Sequence, residues 1–216
     1  MPYFSAADLP ELEKVYRLNL INAITGFKPA NLLGTADAQG RTNLAIISSV
    51  VHLGSSPALL GLVMRPPTVE RHSYDNIRAT GCYTLNHVHE GIARAAHLTS
   101  ANFPREVSEF DACGLTPQYA DDFAAPYVQE SHLRIGLRLV QEVPLEINGT
   151  VLLIGSVEHL YLPDTGVLRP DGSLDLAAAG TVALSGLDTY YQASPVARYG
   201  YARPNQPLPE LPLTIF

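Results

Sequence analysis

The chain has 216 residues and a net charge of −7, a length that suits one large domain with a substantial core and a charge that attracts neither nucleic acid nor an anionic membrane surface. Lys14 and Lys28 are the two lysines among 14 basic residues, so positive charge rests on Arg, whose planar fork matches carboxylates and phosphates. Cys82 and Cys113 lie far apart with no CxxC spacing, which argues against a disulfide framework or a thiolate zinc site; no secretory pattern opens the chain and no apolar run approaches the ~18 residues of a membrane span, so a cytoplasmic protein is expected.

Asp8 and Glu11 have capping-box spacing before LEKVYRLNLINAI, and the periodicity predicts an amphipathic helix over about 9–25, stopped at Gly26. The period then changes. NLLGTA, a turn at 37–40 and TNLAIISSVVHL predict two strands in a hairpin, and ALLGLVM at 58–64 predicts a third, near-continuously apolar strand. A helix is expected from about Thr68 to Thr80, with Thr68 at the N-cap and Gly81 as its stop, followed by the strand CYTLNHV. Further helices are expected near 90–98 and from near Ser108. Leu133, Ile135, Leu137 and Leu139 alternate with Arg134, Gly136 and Arg138, the period of a half-buried strand, and TVLLIGSVEHLYL makes another long one. PDTGVLRPDGSL holds two turn signals around a short strand. Prolines at 204, 207, 209 and 212 exclude regular structure from the last stretch, whose apolar end, LTIF, favours an arm laid over a neighbour. The expected organisation is one domain over 1–200 with a Pro-rich arm at 201–216. Its class is mainly β, an antiparallel barrel with helical insertions.

GxGxxG after a strand, GxxxxGK[ST] and GxSxG are all missing, so a bound phosphate would need another cradle. RPPTVERH at 65–72 offers one: Arg65, Thr68, Arg71 and His72 converge with free N–H groups on a helix start, a natural anion site. The same residues also suit an ordinary Thr cap with Arg71 in solvent. Ser48 and Ser49 interrupt an apolar strand and would leave backbone groups open to a flat ligand, or mark a bulge. His87, His89 and His97 lack a carboxylate or thiolate placed to complete a metal site, so no metal is expected. Cys82 sits inside a strand, where thiols are inert, and Tyr190 and Tyr191 read as packing residues.

TNLAIISSVVHLGSSPALLGLVMRPPTVERHSYDNIRATGCYTLNHV, AHLTSANFPREVSEFDACGL and GLDTYYQ together resemble the flavin reductase-like family of FMN-binding split-barrel proteins, over about 15–200. The resemblance implies a six-stranded antiparallel split β-barrel that forms a homodimer with FMN, or alternatively FAD, at the subunit junction. It places the flavin ring against Ser48, Ser49 and Val50, the phosphate against Arg65, Thr68, Arg71 and His72, and Thr99 and Ser100 on the other side of the flavin. The implied activity is hydride transfer from NADH or NADPH to flavin N5 and onward to free flavin or another small acceptor, with no catalytic side chain. One departure stands out: the family's frequent Asp-His pair is replaced by Gly149 and Thr150. A non-catalytic FMN-binding or storage protein of the same fold is the alternative.

Overall fold

The computed structural model describes residues 1–66, 68, 70–120, 122–163 and 166–213. Near the N-terminus a 3-10 turn, Leu9–Glu11, precedes helix α1, Lys14–Ala23. The helix begins later than its sequence pattern suggests because Glu13 is the cap. Its carboxylate accepts the Val15 and Tyr16 N–H groups at 2.8 and 2.9 Å, while Asp8 is occupied by the Ser5 N–H and hydroxyl. No residue of α1 is buried, and Val15, Leu18 and Ile21 stay exposed.

The main sheet contains β2 (Asn31–Ala36), β3 (Thr42–Ile47), β4 (Val50–Ser55), β5 (Ala58–Met64), β6 (Cys82–His87), β9 (Arg134–Leu145) and β10 (Thr150–Tyr161). Its order is β3-β2-β6-β9-β10-β5-β4, and every pairing is antiparallel. The expected strand over 42–53 is divided at Ser48–Ser49, so this sheet has seven strands where six were expected. That division also shapes the sheet. Flat, its edge strands would stand about 29 Å apart, six spacings of ~4.8 Å, yet Ile47 and Val50 are three Cα steps apart, at most ~11 Å. The sheet therefore curls enough to bring the end of β3 close to the start of β4 at the serine pair.

A smaller sheet joins β1 (Lys28–Pro29), β11 (Val182–Ser185) and β12 (Thr189–Gln192), and a short ladder pairs β7 (Pro117–Gln118) with β8 (Tyr127–Val128). Three more helices pack against the main sheet or each other: α2 (His72–Thr80), α3 (Ala93–Leu98) and α4 (Glu109–Cys113). Among the described residues no helix is long and apolar enough to cross a membrane.

Strand β2 is buried along its whole length because it faces two cores. Leu32 joins Leu44, Phe110 and Val182 on the side covered by α3, α4 and β11. Its neighbour Leu33 points the other way, as strand alternation requires, and joins Leu62, Ile77, Tyr83, Leu137 and Leu153. The Pro-rich tail doubles back on itself: Gly200 N–H donates to the Pro209 carbonyl and Leu211 N–H to that of Arg198, each at 2.9 Å. Of the apolar end, Leu213 receives the Arg169 guanidinium at its carbonyl (2.8 Å); residues 214–216 lie outside the described residues.

Candidate functional site

The start of α2 differs from the expected one. Thr68 lies exposed in a turn four residues upstream of His72, and the N-cap position belongs to Arg71, still extended at φ −131° and ψ 85°. What fixes the helix is its contact with the sheet: the Asn43 amide donates to Ser73 Oγ at 2.8 Å and the Asn76 amide to Thr35 Oγ1 at 3.1 Å, all buried. The N-cap Arg71 makes no side-chain cap, so among the described residues the first-turn N–H groups and the positive end of the helix dipole are left open.

Cations gather there. The Arg71 Nε is buried and has no hydrogen-bond partner among the described residues, Arg65 is exposed at the end of β5, and Arg105 reaches in from the loop after α3. Glu70 and Asp75 are counterions: Glu70 Oε1 accepts from Arg105 at 2.9 Å, its Oε2 lies 3.6 Å from His72 Nε2, and Asp75 Oδ2 lies 3.5 Å from Arg105. The hydrogen bond from Arg105 holds the Glu70 carboxyl below its ordinary range. Sequence reasoning missed the pairing of Glu70 with Arg105, because 35 residues separate them and only the tertiary fold brings the two loops together.

A second set of candidates lies along the outer edge of β3. The Thr42 hydroxyl hydrogen-bonds Ser108 Oγ at 2.6 Å, Leu44 N–H donates to the Glu109 carboxylate at 2.9 Å, and Ile46 N–H donates to Thr99 Oγ1 at 2.8 Å. Side chains thus cover the edge at every second residue, the usual protection of an exposed strand. Ser48 follows directly after the end of this strand, beyond the last covering residue. Thr99 spends its own proton on the Ala96 carbonyl at 2.7 Å, so its hydroxyl serves the strand edge, and Ser100 follows it on the surface.

The serine pair is also tied to the cationic junction. Ser49 Oγ donates to the Val63 carbonyl at 2.9 Å and Val50 pairs with Leu62. Arg65 is two or three residues further along that strand, about 7–10 Å at ~3.3 Å per residue. Ser48, Ser49, Val50 and Arg65 are therefore neighbours, with Thr99 on the opposite flank of the serines.

The histidines do not converge. His87 Nδ1 meets Thr181 Oγ1 at 3.2 Å, the rings of His89 and His132 stack at 4.1 Å, and His97 Nδ1 meets the Tyr190 hydroxyl at 3.2 Å. Burial drives His87 down to about 4. Among the described residues no group of three His, Cys, Asp or Glu is arranged to hold a metal. At the turn between β9 and β10, Gly149 has φ +71° and faces Pro66, beside Arg65. Thr150 gives its N–H and hydroxyl to Asn148 Oδ1 at 3.1 and 2.7 Å, so its side chain belongs to the turn.

Comparison with known proteins places this architecture. The flavin reductase like domain model matches residues 27–172. A crystal structure of a Shewanella frigidimarina protein assigned as a flavin reductase with a split barrel domain is 48% identical and superposes with a TM-score of 0.90, covering 94% of this chain and 100% of that one. Component B of nitrilotriacetate monooxygenase from Bacillus cereus shares the fold at 20% identity and a TM-score of 0.78, with 90% of this chain and 96% of that one covered. The flavoredoxin of Desulfovibrio vulgaris (Miyazaki F) shares it at 23% identity and 0.69, with coverage of 83% and 92%. Resting on a family match over most of its length and a curled antiparallel sheet split at Ser48–Ser49, this chain belongs to the flavin reductase-like family.

Proposed function

We propose that the chain is an FMN-dependent oxidoreductase of the flavin reductase type, taking hydride from NADH or NADPH to flavin and passing electrons to free flavin or another small acceptor. We further propose that it works as a homodimer with the cofactor at the subunit junction. The observation that carries this reading is the buried, unpartnered Arg71 Nε at the uncapped start of α2. A buried guanidinium nitrogen without an acceptor costs free energy, and a phosphate oxygen there would satisfy it.

The residues present fit a phosphate-bearing flavin. Arg65, the Thr68 hydroxyl, Arg71 and His72 would hold the dianion with the first-turn N–H groups of α2. Glu70 is exposed, and an incoming phosphate would compete with it for Arg105 and His72, with Asp75 3.5 Å from Arg105 as well. The half-buried Ser48, Ser49 and Val50 would lie against the ring. When FMN is bound, the chemistry supplied there is hydride acceptance at ring N5; this chain's part is to bind, orient and shield.

The dimer is supported by the contrast between the two sheet edges. β3 is covered by Ser108, Glu109 and Thr99, whereas β4 ends the sheet with Val51 and Leu53 exposed. An apolar open edge calls for a partner.

The capture of Thr150 by Asn148 at 2.7 Å favours a second reading, in which the protein binds FMN without turnover, because no titratable group stands in place of the family's Asp-His pair. One experiment separates the two. The visible spectrum of the purified protein is recorded with added FMN and then with NADH or NADPH under anaerobic conditions. A protein-bound flavin band that bleaches supports the oxidoreductase; a band that persists with both nucleotides supports the binding protein; failure to bind FMN removes both.

A further inference from the structure

Away from the start of α2, helix α3 and strand β12 face each other across an open cleft of about 420 Å³ lined by Ala93, Arg94, His97, Leu98, Asp188 and Tyr190. That volume lies within the range of small-molecule sites. Its walls are mostly apolar: Ala93, the exposed Leu98 and the face of Tyr190.

Its polar groups are few and placed. Arg94 and His97 are one helical turn apart on α3, so both side chains project from the same face, with Cβ atoms about 5–6 Å apart. His97 Nδ1 is engaged by the Tyr190 hydroxyl at 3.2 Å, with the two rings edge-on at 5.8 Å. Burial and the nearby Asp188 charge raise Tyr190 above its ordinary range, so the phenol keeps its proton beside Nδ1. With Nδ1 engaged there, Nε2 is the ring nitrogen left, among the described residues, to an occupant of the cleft. Arg94 is exposed and, among the described residues, has no carboxylate within ion-pair distance. Asp188, which accepts the Thr189 hydroxyl at 2.9 Å, sets the polarity of the opposite rim and disfavours a second negative charge on the occupant.

We infer that the cleft between α3 and β12 binds a monocyclic aromatic carboxylate, its ring among Ala93, Leu98 and Tyr190 and its carboxylate shared by Arg94 and His97. None of its lining residues is among those placed against the flavin, although Leu98 directly precedes Thr99 at the end of α3.

The test titrates benzoate, and separately the uncharged benzamide, into the full chain while the His97 ring resonances are followed by NMR. Benzoate is expected to saturate, to shift the His97 signals and to bind more tightly than benzamide. Arg94→Gln, an exposed substitution that leaves the fold intact, is expected to weaken benzoate about tenfold, the equivalent of one charge-assisted hydrogen bond. Leu98→Glu, which puts a like charge in the cleft, is expected to abolish binding. Absence of saturable binding overturns the inference, as does benzoate binding that leaves His97 unmoved or is unaffected by both substitutions.

Discussion

The Glu109 carboxylate at the start of α4 accepts the Leu44 N–H of β3 at 2.9 Å, from a position where the side chain is almost wholly out of water. Burial raises its carboxyl above the ordinary range, against the lowering effect of that hydrogen bond. Glu109→Ala, which strands a buried strand-edge donor, is expected to destabilise by about 1–3 kcal/mol. Glu109→Gln keeps an acceptor and is expected to stay close to the wild type. Because the folded carboxyl titrates above its unfolded value of 4.5, its contribution is fully present below that pH and fades as pH rises through the folded value. Urea unfolding of the three proteins at pH 7 and pH 4 checks both points.

His87 acts in the opposite sense. Burial holds the imidazole neutral down to about 4, so the unfolded chain takes up the proton first as pH falls below 6.5. Stability is expected to drop by up to roughly 3 kcal/mol between pH 6.5 and about 4, at ~1.36 kcal/mol per pH unit. His87→Gln is expected to flatten that part of the profile, and a profile identical to the wild type would remove the assignment.

At Gly34 of β2 there is no space for a side chain. A Cβ would overlap the Pro126 carbonyl oxygen and Thr84 Oγ1, two atoms already joined by a buried 2.6 Å hydrogen bond. Gly34→Ala is expected to cost about 3 kcal/mol, read from the denaturant midpoint; a variant within about 0.5 kcal/mol of the wild type would mean that the β2–β6 packing yields more easily than its geometry suggests.

For the phosphate site, the double variant Arg65→Ala with Thr68→Ala is expected to weaken FMN binding at least about tenfold, or ~1.4 kcal/mol. Arg71→Gln, which removes the half-buried guanidinium with its buried Nε, is expected to do the same alone. Flavin fluorescence titration measures both, and unchanged affinity in folded variants would remove these residues from the site.

For the dimer, Val51→Lys with Leu53→Lys places two charges on the open β4 edge and is expected to give a monomer by sedimentation equilibrium. Truncation after Arg203 is expected to weaken the dimer as well. A wild-type dimer that survives both changes would place the interface elsewhere.

Much of the β architecture is written in local pattern. The alternation of Leu133 to Leu139, the apolar run 58–64 and the turn at 37–40 each specify a strand or hairpin from neighbours in sequence, because side-chain direction in a strand repeats every two residues. The cationic stretch 65–72 is legible for the same reason: it is contiguous. What the sequence leaves open is every relation between distant segments. The break at Ser48–Ser49 is where the chain passes from one edge of the sheet to the other, and the start of α2 at His72 goes with the anchoring of Ser73 and Asn76 on the sheet. Thr99 reads as a loop residue until the fold sets its hydroxyl against Ile46, and His97 and Tyr190 are 93 residues apart until β12 comes to lie beside α3. Local periodicity chooses the elements; burial of two apolar faces on one curled sheet chooses which of their polar groups meet.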